Sequence, residues 1–385
     1  MNEQESWVSW EESGQPRRAR WRSESQAAPA TLVAVDDTLT ANAAYKLVND
    51  GTGLLWRGDF QNARQLLQAL ARRVDKPPRA RTPRAGAAAP AGGAHEAFLR
   101  HRAAQARRAA LLGRLLLAFE PDHSLALRRA PDVRAALTEA WGAPDNGASV
   151  ASLRELQGLI GAHEWRKKGV EVAALGGRIH PHYGVFSPVR GEYLGLIAQA
   201  PLPADAAALA FDIGTGSGVI AALLARRGVR RVVATDLDPR AIACAAENVA
   251  RLGLAERVEL RRTDMFPEGR AALVVCNPPW LPTPANAAIE RAVYDPDSAM
   301  LRAFLGGLAA HLSPGGEGWL VMSDLAEHLG LRSRSELLAW IAAAGLRVVA
   351  RHDTRPTHPK AGDPADPLFA ARSQEVTSLW RLGPA

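Results

Sequence analysis

The spacing of apolar positions changes about midway along the chain. In the stretch from Asn42 to Arg73, GTGLLWRGDF reads as a turn leading into QNARQLLQALARRV, a helix on which Ala63, Leu66, Leu67 and Leu70 share one face. Glu96 to Phe119 continues as a long helical pattern that closes on LLGRLLLAF, and 120–170 reads as further short helices. From Arg178 short apolar runs alternate with helix-spaced stretches to the C-terminus, which is the pattern of a doubly wound parallel α/β sheet. The expected organisation is a mainly helical domain over 31–175 followed by an α/β domain over 176–385. Residues 1–30 are polar and short of aliphatic side chains, so a disordered tail is expected there. PPRARTPRAGAAAPAGGA at 77–94 has no apolar period and reads as a flexible insertion.

Composition narrows this picture. A chain of 385 residues can bury two cores, and with 47% hydrophobic and 23% charged residues disorder is not its general state. Cys244 and Cys276 fall in a helical stretch and a strand without metal-ligand spacing, so reduced core residues and no metal are expected. No run of eighteen apolar residues occurs, and the N-terminus lacks a basic region followed by an apolar one; the expectation is a cytoplasmic protein with no membrane partner. The net charge of +7 and the row Arg100, Arg102, Arg107 and Arg108 fit an anionic partner such as ribosomal or transfer RNA. They equally fit a solvated helix face and the codon preference of a GC-rich genome.

The chemistry is concentrated after residue 208. An apolar strand runs from Ala208 through Asp212 into a loop carrying Gly214, Thr215, Gly216 and Gly218, and a helix follows from Val219 to Arg227. Glycines in such a turn allow positive φ and let a ligand approach the backbone closely. The next strand, Arg231–Asp236, ends in an acid able to accept from two ribose hydroxyls. A third, Val258–Arg262, leads to Asp264, which can accept from an adenine amino group, and to Met265, which can pack on the ring. The bland alternative makes each acid a helix cap, with Asp236 as the cap of the following helix. A dinucleotide fingerprint places glycines at relative positions one, three and six, whereas here they stand at one, three and five with Val219 sixth. Asp212, just before the first glycine, would repel a pyrophosphate but can meet the ammonium group of a methionine moiety. S-adenosylmethionine therefore fits this Rossmann-like loop better than NAD.

The fourth strand, Ala272–Cys276, runs into Asn277-Pro278-Pro279-Trp280. Two prolines stiffen the backbone, so the Asn277 side chain and the Pro278 carbonyl can converge as acceptors, while Trp280 offers an aromatic face. Acceptors gripping the N–H groups of a planar amide or amine would push electron density onto a nitrogen whose lone pair is otherwise delocalised, and Asn277 would also border the cofactor. A rigid loop with no chemistry would leave the polar atoms of Asn277 to be satisfied by something else.

The order D-x-G-x-G-x-G, an acid ending the second strand, an acid after the third and N-P-P-W after the fourth resembles the class I methyltransferases of the small-domain type. Within them it is similar to the HemK-type glutamine methyltransferases and to the amino-group methyltransferases of nucleic acids. The resemblance covers about Tyr183 to Leu382 and includes the Phe-x-Pro stretch within Gly184–Glu192; Trp280 stands where the glutamine enzymes commonly carry Tyr. It implies that Asp212, Gly214, Thr215, Gly216, Gly218, Asp236, Asp264, Met265 and Asn277 hold S-adenosylmethionine, and that Asn277, Pro278 and Trp280 hold the target nitrogen. The acceptor would be a protein glutamine or a base in RNA or DNA, with a ribosome or translation factor as possible associates. Two other classes stay open: a nucleic-acid or ribosome-associated module with a decayed methyltransferase fold, and an NAD-dependent oxidoreductase.

Overall fold

The computed structural model describes residues 6–76, 93–145, 147–188, 191–285, 288–357 and 362–385. The chain divides into two compact units, Met1–Ala91 with Leu99–Glu164, and Gly92–Phe98 with Trp165–Ala385.

The first unit is built on a six-stranded sheet, which corrects the expectation of a mainly helical domain. Its strands are β1 (Trp7–Glu12), β2 (Gln15–Trp21), β3 (Leu32–Val35), β4 (Gly53–Trp56), β5 (Leu115–Phe119) and β6 (Ser149–Ser152), in the order β1-β2-β6-β5-β4-β3. The supposed tail contributes the antiparallel hairpin β1–β2, whose inner positions Val8, Ala19 and Trp21 are buried against Leu32, Leu55, Leu116 and Val150. Three inward positions, Val8 on one strand and Ala19 and Trp21 two apart on the other, were enough to seat it, although the segment carries few aliphatic residues. The central strands were missed for a different reason. In GLLW and SVAS every residue is buried, so no alternation marks the strand, and in a run of four or five residues periodicity cannot tell strand from helix. The long pattern over 96–119 is likewise a helix, α3 (Ala94–Leu112), and then β5. Helices α1 (Ala41–Asn49), α2 (Phe60–Val74), α4 (Arg134–Trp141) and α5 (Leu153–Lys168) complete the fold around this sheet, and α2 buries Ala63, Leu66, Leu67 and Leu70 as the spacing implied. In the arginine row, Arg108 is bonded to Asp75. The expected insertion at 77–94 lies almost wholly outside the described residues, and the two that are described, Gly93 and Ala94, enter α3.

Besides Gly92–Phe98, the second unit runs continuously from Trp165, somewhat before the expected 176. After a two-stranded piece, β7 (Val170–Val172) with β8 (Gly177–Ile179), and helix α6 (Glu192–Gln199), it forms a seven-stranded sheet. The strands are β9 (Leu209–Ile213), β10 (Arg231–Asp236), β11 (Val258–Arg262), β12 (Ala271–Cys276), β13 (Leu312–Ser323), β14 (Leu346–Thr354) and β15 (Thr377–Pro384), ordered β11-β10-β9-β12-β13-β15-β14. The first five positions pair in parallel, and β15 is antiparallel to both its neighbours. Alternate residues of β9 and β12 point to opposite cores. Ala210, Leu273 and Val275 meet α6 and α7 (Val219–Arg226), whereas Phe211, Ile213, Val274 and Cys276 meet α9 (Ala299–His311). Because both faces are covered, these strands read as unbroken apolar runs. The strand order reverses between β9 and β12, and in open α/β sheets ligands bind beyond the carboxyl ends of the strands at such a point. Cys244, in α8 (Pro239–Arg251), and Cys276 are buried and unpaired. Among the described residues no helix is long and apolar enough to cross a membrane.

Candidate active site

The carboxyl ends of β9, β10 and β12 bring together Asp212, the glycine loop, Asp236 and Asn277, and β12 places Cys276 directly opposite Ile213. The loop is held by its own acid. Asp212 is fully buried, and its Oδ2 accepts from the Thr215 hydroxyl at 2.7 Å and from the Ala221 N–H at 3.0 Å. Its Oδ1 is buried without a hydrogen-bond partner. Burial pushes the Asp212 carboxyl up to about 7, against the lowering effect of those two bonds and with a further push from Asp236. A buried acceptor with an unused oxygen suits a cationic partner.

The glycines serve separate ends. Gly218 (φ +79°) caps α7, and a Cβ there would lie 3.0 Å from the Ala245 Cβ, so it lets the loop sit against α8. Gly216 (φ +54°) has no atom within 4 Å of where its Cβ would be, so close packing within the chain is not what demands glycine there. Its positive φ and its open side are what a closely approaching ligand needs. A Cβ on Gly214 would meet the Met300 methyl group at 2.6 Å.

Asp236 is not a helix cap. That place belongs to Asp238, which accepts from the Arg240 N–H at 2.8 Å and is followed by Pro239 in the first turn of α8. Asp236 Oδ2 instead accepts from the Gly216 N–H and Oδ1 from the Asp238 N–H, each at 2.9 Å, which aims the carboxylate along the loop. Each oxygen retains a second lone pair for a hydroxyl donor. Burial raises the Asp236 carboxyl above the usual range in spite of these bonds. Asp264 is exposed beyond β11, while Met265 is half-buried and held at φ +57°, its carbonyl taking a 2.6 Å bond from the Thr235 hydroxyl. A left-handed methionine costs about 1 kcal/mol or more and persists only because such contacts fix it.

Pro278 is buried, and Asn277 and Trp280 are half-buried. The Trp280 indole N–H donates to Asn277 Oδ1 at 3.0 Å. The Asn277 side chain also meets the phenol of Tyr193, which burial pushes well above its ordinary range, with Asp212 and Glu192 adding to the rise. Trp280 packs on both cores of the sheet.

Several contributors were not read from sequence. Tyr193 lies in α6 and reaches the site only through tertiary packing. Asn248 of α8 donates to the Ser217 carbonyl at 3.0 Å and accepts from the His180 N–H at 2.7 Å, tying the loop to the segment that enters α6. Beside it, burial tends to raise the Glu247 carboxyl, but bonds from His182, Arg251 and Arg166 hold it at about 2. Beyond Trp280, Leu281 bonds to Val293 and Asp295, and the Asp295 carboxylate accepts from the Met300 and Leu301 N–H groups at 3.0 and 3.1 Å. Asp297 and Ser298 both have positive φ in the turn that delivers Met300 to Gly214. None of these has a short motif in the sequence. Among the described residues no group of His, Cys, Asp and Glu is arranged to hold a metal.

The family described as methyltransferase small domain matches residues 176–334. The chain is 30% identical over 234 residues to the release factor glutamine methyltransferase of Deinococcus radiodurans, an alignment covering 58% of this chain and 77% of that protein. The chain belongs to the S-adenosylmethionine-dependent class I methyltransferases of the HemK type. Within that family it is also 39% identical over 176 residues to the release factor glutamine methyltransferase of Cereibacter sphaeroides, over 42% of this chain and 60% of that one. A shorter match, 49% over 69 residues, joins it to the ribosomal protein L11 methyltransferase of Pelotomaculum thermopropionicum, over 17% of this chain and 22% of that one. The chain thus spans 60% or less of these last two relatives. S-adenosylmethionine is the cofactor of this methyltransferase family, and the unused Asp212 oxygen and the open side of Gly216 fit it. Neither a decayed binding module nor an NAD-dependent oxidoreductase is favoured by these matches.

Proposed function

We propose that this HemK-type chain methylates the side-chain amide nitrogen of a glutamine in a protein substrate. The observation that carries the reading is the half-buried Asn277, set at the carboxyl end of β12 beside the glycine loop with its amide oxygen bonded to the Trp280 indole. The two relatives named release factor glutamine methyltransferase support a release factor as the class of acceptor.

In this reading Gly214, Thr215, Gly216 and Gly218 line the cofactor, Asp212 faces its ammonium group, Asp236 its ribose, and Asp264 and Met265 its adenine. When bound, the cofactor supplies a methyl group made electrophilic by its sulfonium. An amide nitrogen is a poor nucleophile because its lone pair is delocalised into the carbonyl. Asn277 Oδ1 and the Pro278 carbonyl accept its two N–H groups, concentrate electron density on nitrogen and stabilise the positive charge that develops there. Trp280 presents the face of its ring to the planar amide. As the C–N bond forms and the C–S bond breaks, the nitrogen becomes acidic, so its proton leaves to solvent without a strong base.

The test is incubation of the purified protein with S-adenosylmethionine labelled in the methyl group and a lysate from cells lacking the gene. Label recovered as N-methylglutamine in a protein is the expected result. Label in RNA or DNA would overturn the glutamine assignment, and label in no macromolecule by a cofactor-bound protein would overturn the methyl-transfer reading.

A further inference from the structure

An asparagine amide presents two ends of nearly equal size and opposite hydrogen-bonding character, and rotation by 180° about its last torsion exchanges them. A site that works by accepting N–H groups requires the oxygen, and the free energy separating the two orientations comes from the neighbours. At Asn277 the neighbour on one side is the Trp280 indole N–H, which can only donate. A flipped amide would put its NH2 against this donor and leave two half-buried donors facing each other, which costs a lost bond and an unsatisfied group together. On another side the amide also hydrogen-bonds the phenol of Tyr193, fully buried in α6.

We infer that Trp280 is a positioning residue that acts through Asn277, its indole N–H locking the amide with Oδ1 as the acceptor, in addition to offering its ring face to the acceptor group. This deepens the methyl-transfer reading and rests on it. The lock has a cost in capacity: Oδ1 has two lone pairs, one is taken by the indole, and one remains for a single substrate N–H. The second N–H of a primary amide must then go to the Pro278 carbonyl. A tyrosine at position 280 carries no ring N–H at this place, so the lock is a property of this chain's tryptophan.

Trp280→Phe keeps an aromatic face and removes the donor. It should lower kcat about tenfold, as expected for loss of one orienting hydrogen bond, with cofactor Kd unchanged and acceptor KM little changed. Trp280→Ala, which also loses the face, should raise acceptor KM as well. The decisive arm is a double-mutant cycle: in an Asn277→Ala background the Trp280→Phe change should cost nothing further. A second readout needs neither substrate nor cofactor. In protein carrying 15N-labelled indoles, the resonance absent from Trp280→Phe should be slow to exchange with solvent and should move in Asn277→Ala. An undiminished kcat for Trp280→Phe, a full additional loss in the Asn277→Ala background, or an indole resonance indifferent to Asn277 would each overturn the lock while leaving the methyl-transfer reading intact. Wild-type turnover by Asn277→Ala would instead overturn that reading.

Discussion

Replacing Asp212 by asparagine separates what the glycine loop needs structurally from what the cofactor needs electrostatically. Of the two oxygens of Asp212, Oδ2 holds the loop through Thr215 and Ala221 and Oδ1 has no partner. The asparagine oxygen can take over both loop bonds, and its NH2 group then occupies the Oδ1 position. Burial raises the folded-state pKa of Asp212 from 3.8 to about 7. A difference of that size corresponds to about 4 kcal/mol between the protonated and ionised forms. With the folded pKa above the unfolded one, Asp212 contributes stability fully below pH 3.8, loses it as pH rises toward 7, and contributes none of it above 7. The amide of Asp212→Asn cannot ionise, so the stability of the variant minus that of the wild type should rise between pH 4 and pH 8, by up to about 4 kcal/mol. The buried NH2 group sets this curve lower by about 1–3 kcal/mol at every pH without changing its slope. Cofactor binding should move the other way. An ammonium group beside Asp212 stabilises the carboxylate, so below pH 7 binding to the wild type should release protons. The variant should release none from this position and bind about ten- to a hundredfold more weakly. Urea melts across that pH range, with calorimetry in buffers of differing ionisation enthalpy, measure both quantities. Parallel stability curves for the two proteins would refute the assigned burial cost, and equal affinity with equal proton release would refute the placement of the ammonium group.

Other changes test the rest of the site. Asn277→Ala should lower turnover by about two to three orders of magnitude while cofactor affinity and melting temperature stay near wild type, because the interaction strengthens only as charge develops on nitrogen; near-normal turnover would make the Asn-Pro-Pro-Trp loop scaffolding. Asp236→Ala should weaken cofactor binding by about 1–3 kcal/mol in calorimetry, through loss of the carboxylate fixed by Gly216 and Asp238. Gly218→Ala should destabilise the protein by about 1–3 kcal/mol in a urea melt, since its φ of +79° is costly for alanine and the new Cβ presses on Ala245; an unchanged midpoint would show that the loop and α8 can separate freely.

What could be read from the chain alone is what repeats or clusters locally. Strands β9, β10 and β12 were marked by apolar runs that lead to Asp212, Asp236 and Asn277, β11 only by its place before Asp264, and the glycines between β9 and α7 announced a backbone open to a ligand. Local order sufficed there because a parallel sheet aligns the ends of its strands, so residues that follow successive strands meet whatever lies between them. In the first unit the same reasoning failed. Strands of four residues buried on both faces carry no period, and the hairpin at residues 7–21 takes its stability from partners far along the chain, Leu55, Leu116 and Val150. Tertiary structure alone decided which oxygen of Asp212 is spent on the loop, that Asp238 and not Asp236 caps α8, and that Trp280 and Tyr193 grip Asn277 from separate elements. Those are choices among partners for a hydrogen bond, and a partner is defined by distance in space, which no spacing along the chain encodes.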